Sequence, residues 1–152
     1  MLYQTVNILT EPDTYTQLFR NGCIESAEAI TVGEKDGRDK GIPAIRFEEV
    51  LIHALQRFLL ALEHIAVHPP FFIMVSLLDV SGYQMITKDE EGIIGLLGEK
   101  IDRDNLLLPE VILDTFDVEP SKVLKPIFDS IWNSCGWKAS QNYNNNGNWN
   151  SK

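Results

Sequence analysis

Residues 43–78 constrain the fold of this chain more than any other stretch of it. Phe47, Val50, Leu51, Ala54, Leu55, Phe58, Leu62 and Ile65 recur at steps of three and four, the spacing that gathers side chains on one side of an α-helix. The helix is expected to begin near Pro43, whose fixed φ suits a first-turn position, with Glu48 and Glu49 toward the positive end of its dipole. Pro69-Pro70 ends it, because proline cannot continue the hydrogen-bond ladder. FFIMVSLL, residues 71–78, is then an unbroken apolar run of strand length, as expected of a central strand covered on both faces.

Weaker signals extend this frame in both directions. The alternation in MLYQTVNILTEP suits a strand, and Asn21-Gly22 between Thr14–Arg20 and Cys23–Thr31 predicts a β-hairpin. GEKDGRDKG, residues 33–41, is too polar and glycine-rich to pack and is expected to be a surface loop. After a turn over residues 79–82, YQMIT is expected to return as the partner strand of FFIMVSLL. Residues 88–105 are expected to be loop, with GIIGLLG packing as a short flap. LLLPEVILDTF reads as a further strand whose Pro109 favours an edge or a bulge.

A second helix is expected from Pro120 to Gly136, with Val123, Leu124, Ile127, Phe128, Ile131 and Trp132 on one side and a bend or break at Pro126. The order of strands, helix, strands, helix predicts an α+β fold with a mainly antiparallel sheet of about five or six strands and two principal helices. Residues 1–140 are expected to form one domain, and 141–152 an Asn-rich C-terminal tail.

Charge narrows the functional classes. The formal net charge of the 152 residues is −9, and it is spread evenly, with no basic patch to neutralise phosphates. Direct nucleic-acid binding by this chain is therefore not expected, and the same field opposes an anionic membrane surface. The N-terminus lacks the basic start and apolar core of a signal peptide, and no apolar run reaches membrane-spanning length. Two cysteines, Cys23 and Cys135, make no disulfide framework, so a cytoplasmic location is expected.

Catalytic patterns are sparse. His53, His64 and His68 are the only histidines, and His53 falls over Arg57 on one side of the long helix. His64 and His68 have the spacing of a metal pair, but the prolines after His68 break it. IDRDN has the start of a calcium loop without its glycine or distal Glu, and the acidic run 89–91 reads as a solvated loop. No P-loop, dinucleotide fingerprint or nucleophile elbow is present. GEKDGRD at 33–39 and GEKIDRD at 98–104 echo each other, but one leads to a helix and the other to a strand, so they read as two similar polar loops. No catalytic residue, cofactor or metal is assigned.

Several blocks carry a family resemblance: FRNGCIES, HPPFFIMVSLLDVSGY, RDNLLLPEVILDTFDVEPSKVLKPIFDSIWNSCGW and NYNNNGNW. Together they resemble the C-terminal accessory region of bacterial Schlafen/AlbA-type proteins described as DNA-binding or ATP-binding. The resemblance implies an accessory domain separated from its nucleic-acid module, and none of the family's functional residues carries over.

The tail, QNYNNNGNWNSK, pairs turn-forming asparagines with two large aromatic residues. The asparagines alone read as a frayed terminus, whereas Asn146-Gly147 predicts a tight turn with Tyr143 and Trp149 on either side, placed to dock on the domain or to anchor a partner. Tyr143, Trp149, Trp137, His53 and Arg57 are the candidate contacts for a protein partner or for a second copy in a homodimer. The expected function is non-catalytic: self-association, or regulation of a nucleic-acid- or nucleotide-binding module. The alternatives are a small-molecule sensor, with an apolar pocket between the long helix and residues 71–87, and a metal-assisted hydrolase using His53, His64 and Asp102.

Overall fold

The computed structural model describes residues 2–6, 14–28, 40–89 and 91–150. Its elements in chain order are β1 (Leu2–Val6), β2 (Tyr15–Leu18), β3 (Ile24–Ala27), β4 (Gly41–Pro43), α1 (Ala44–His64), β5 (Phe71–Leu77), β6 (Gln84–Lys88), β7 (Ile94–Leu97), β8 (Leu106–Leu107), β9 (Val111–Leu113) and α2 (Pro120–Ser134). The fold is α+β with two helices. The strands form a six-stranded sheet in the order β2-β3-β1-β5-β8, with β9 also on β5, and a three-stranded sheet, β4-β6-β7.

Four of the seven pairings are antiparallel, yet the middle of the large sheet, β3-β1-β5, is parallel. The hairpin predicted at Asn21-Gly22 joins β2 to β3. Its turn is one residue longer than the minimal Asn-Gly type, with Gly22 at φ 82° and the Phe19 amide donating to the Cys23 carbonyl at 2.8 Å. The loop expected at 33–41 lies outside the described residues as far as Asp39, and Gly41 opens β4.

FFIMVSLL is central, pairing with β1 on one side and with β8 and β9 on the other. It is not covered on both faces: Phe71, Ile73, Val75 and Leu77 are buried, while Phe72 between them is exposed. Nor does YQMIT return beside it. Asp79 and Gly82, at φ 56° and 83°, swing the chain away, and the Val80 and Gly82 amides bond to the carbonyls of Asp104 and Ile101. β6 therefore pairs with β4 and β7 in the second sheet. The flap GIIGLLG supplies that sheet's edge strand, β7.

Both helices bury one side. α1 contributes Ala44, Phe47, Glu48, Leu51, Ala54, Leu55, Leu59 and Leu62, and α2 contributes Leu124, Ile127, Phe128, Ile131 and Trp132. All of these but Glu48 and Ala54 join Ile73, Val75, Leu77, Met85 and Leu113 in one core. α2 runs through Pro126 without a break, with buried Leu124, Ile127 and Phe128 around it; packing of that side offsets the roughly 3 kcal/mol that an interior proline costs. Gly136 at φ 80° ends it, with the Trp137 and Gly136 amides returning to the carbonyls of Trp132 and Asn133.

Candidate functional site

Three regions bear on function, and the most tightly organised surrounds Glu48. Its side chain, 1% exposed, sits in the α1–α2 seam. Trp132 Nε1 and the Ser140 hydroxyl donate to Oε1 at 2.8 and 2.7 Å; Asn142 Nδ2 and Trp149 Nε1 donate to Oε2 at 3.0 and 2.7 Å. All four partners donate, so the buried carboxylate has two hydrogen bonds on each oxygen. Such charge-assisted bonds make burial of the charge tolerable.

Three of those donors come from residues 140–149, so the tail is part of the packed structure. Ser140 and Asn142, on either side of the expected domain boundary at 140, share one carboxylate. Tyr143 and Trp149 face each other in a β-bridge, closed by Asn144 Oδ1 accepting from the amides of Asn146 and Asn148 at 3.0 Å and by Gly147 at φ 75°. The Tyr143 hydroxyl donates to the Ser121 carbonyl, its ring packs on Phe128, and Lys125 lies 5.0 Å from its centre. Burial, with the carboxylates of Glu48, Asp129 and Glu119 nearby, pushes the Tyr143 phenol well above its ordinary range. Trp137 packs edge-on against Trp132, and its buried indole N–H has no hydrogen-bond partner among the described residues.

Thus the structure turns Tyr143, Trp149 and Trp137 inward, where they pack within the chain. His53 and Arg57 remain exposed on the outer side of α1. There Arg46, Val50, His53, Gln56 and Arg57, with Glu28 at the end of β3, line an open groove of about 450 Å³.

The third region is the outer face of the large sheet. Strand register sets Ile112 of β9 beside Phe72 of β5, and Leu107 of β8 beside Ser76. Residues opposed in register share a face, so Phe72, Met74, Ser76, Leu107 and Ile112 form one outward surface at the β5–β8–β9 flank with no charged side chain among them; Glu25 of β3 lies on the same face, two strands from Met74. Phe72 is 38% exposed, Ile112 53% and Leu107 78%. An antiparallel flank facing water ordinarily carries polar residues at its outward positions. This one carries apolar residues.

The alternatives fare differently. Leu51, Leu55, Ile73, Val75 and Met85 belong to one buried cluster where an apolar ligand pocket was expected. His53 and His64 lie on α1 and Asp102, ion-paired with Arg103, lies in the β7–β8 connection; among the described residues no three His, Cys, Asp or Glu are grouped to hold a metal. Burial raises the Cys135 thiol above its ordinary value, which disfavours the thiolate form. No helix among the described residues is long and apolar enough to cross a membrane. No family model, no curated protein and no solved structure matches this chain.

Sequence reasoning missed Glu48 as an organising residue, although its position carried a signal. It lies four residues after Ala44 and three before Leu51, inside the stripe that becomes the buried side of α1. A carboxylate at a core position of a helix needs donors, and Trp132, Ser140, Asn142 and Trp149 are residues that supply them.

Proposed function

We propose that this chain is a non-catalytic interaction domain that self-associates through the outer face of its large sheet. The observation that carries the reading is the surface of exposed Phe72, Ile112 and Leu107, with half-buried Met74 beside them. Contiguous apolar surface on a water-facing sheet marks an interaction site. The occupant that fits is a second copy. Two chains of net charge −9 repel over most of their surfaces, and an apolar β5–β8–β9 flank without charged side chains lets them meet there without opposing like charges. The family resemblance adds a role for the assembly, as the accessory partner of a nucleic-acid- or nucleotide-binding module.

Light scattering on a sizing column tests the assembly. The full chain is expected to elute with the mass of two chains, and Ile112→Lys, which places a cation beside Phe72 on that face, with the mass of one. A full chain that stays monomeric at about 100 μM, well above the Kd range of stable interfaces, sinks the reading.

A further inference from the structure

We propose that the groove on the outer side of α1 is a binding site for a small, extended anion with acidic groups toward both ends. On a chain with 13 Lys and Arg against 22 Asp and Glu, this is a place where cationic side chains gather. Arg46, Val50, His53 and Arg57 follow one another at steps of four, three and four, so they lie in one row along the helix, and all four line the groove.

The two arginines are available to a ligand. Arg57 is oriented by its own helix, its Nε donating to the His53 carbonyl at 3.3 Å, which leaves the outer nitrogens of the guanidinium to form a two-pronged contact with a carboxylate or phosphate. Arg46 meets Glu49 only at 3.5 Å and is 68% exposed, and a surface pair of this kind exchanges partners at little cost. His53 and Gln56 add donors beside Arg57.

Spacing sets the shape of the ligand. Arg46 and Arg57 are eleven residues apart, about 16 Å along the helix at 1.5 Å per residue, so a compact ion reaches one end only. A ligand that engages both carries two acidic groups on a connecting body. Val50 between them offers an apolar contact to that body, and Glu28, lining the same groove, accepts a hydrogen bond from a hydroxyl or amine on it. Acidic ends on a hydroxyl- or amine-bearing body describe sugar bisphosphates, phosphorylated sugar acids and nucleoside bisphosphates. A groove of about 450 Å³ is within the range of small-molecule sites.

The test is an NMR titration of the full ¹⁵N-labelled chain with two probes, a sugar bisphosphate and inorganic phosphate, repeated on Arg57→Gln and Arg46→Gln. Both substitutions are at exposed positions and leave the core untouched. Saturable shifts are expected at amides of residues 46–57 and Glu28, with the bisphosphate at least tenfold tighter than inorganic phosphate, and each substitution weakening the bisphosphate roughly tenfold. Equal affinity of the two probes would refute the two-ended site. So would the absence of saturable shifts at about 10 mM probe, or binding unchanged by both substitutions.

Discussion

The Glu48 seam and the outer face of the large sheet break opposite rules. In the seam, a charged side chain is buried and every one of its hydrogen bonds is supplied from within the chain. On the sheet, apolar side chains are left in water with no described neighbour over them. The first violation is resolved internally, which marks it as a structural device. The second is unresolved within one chain, and that is what makes it a candidate for a partner. A buried polar group and an exposed apolar surface are each informative because they cost free energy, but only the uncompensated one points outward.

If the seam is structural, breaking it should damage folding more than any change on the sheet. Glu48→Ala leaves two indole N–H groups, a hydroxyl and an amide without their acceptor. Removing one side of a buried charged network of this kind costs about 3–5 kcal/mol. At roughly 2–4 °C per kcal/mol for a chain of this length, the melting temperature is expected to fall by about 10 °C or more. Glu48→Gln, which keeps the shape but turns an NH₂ toward donors, should recover only part of this. A loss below about 1 kcal/mol for Glu48→Ala would mean that the seam does not hold the fold together. Trp149→Phe comes next. It removes one hydrogen bond to a charged acceptor and part of the indole's contact area, for about 2 kcal/mol by urea denaturation, and should loosen residues 142–149 first in hydrogen exchange.

The contrast also shows what the amino-acid sequence exposes to inspection. Periodic features were legible: the stripes of α1 and α2, the strand at 71–77, the Asn21-Gly22 hairpin and the turn at Asn146-Gly147 each follow from local rules. Strand partnership was not. The β5–β6 hairpin expected from adjacency fails because Asp79 and Gly82 take positive φ and the loop bonds to residues 101 and 104, a pairing no local pattern announces. The parallel centre of the large sheet, and so the identity of its outward face, arises from contacts among strands far apart in sequence. Glu48 was read as a charge near the helix start because dipole complementarity is local, whereas its donors lie 84–101 residues away. His53 and Arg57 could be placed together on one helical side from spacing alone, but their groove depends on Glu28 from another element.

Tyr143 probes the rim of the seam. Tyr143→Phe removes the bond to the Ser121 carbonyl and should cost about 1 kcal/mol. The hydroxyl also gives a pH signature. Because the folded chain holds the phenolic proton more tightly than the unfolded chain, its contribution to stability is complete below the ordinary tyrosine pKa of about 10 and is lost as pH rises through the folded value. In an ultraviolet titration of the folded protein, the tyrosinate absorbance of Tyr143 should lag furthest behind; Tyr15, whose hydroxyl donates to Glu25, is raised as well, so Tyr143→Phe should remove the latest step and leave the Tyr15 lag in place. A titration curve that is the same with and without Tyr143→Phe, apart from one fewer tyrosine at the ordinary pKa, would weaken the picture of a packed tail.

The smallest effect on stability is expected where the effect on assembly is largest. Ile112 is 53% exposed and stands opposite Phe72 in register on the outer face, so Ile112→Lys removes little buried area within one chain. Measured where the protein is monomeric, its unfolding free energy should differ from that of the unaltered chain by no more than about 0.5 kcal/mol. Measured where the unaltered chain is assembled, the gap should widen with protein concentration, because association stabilises only the folded form that takes part in it. A gap that is small and concentration-independent means that the apolar face has no occupant of its own kind. A large gap at high dilution would show that Ile112 supports the fold itself, and the distinction between a seam that holds one chain and a face that joins two would disappear.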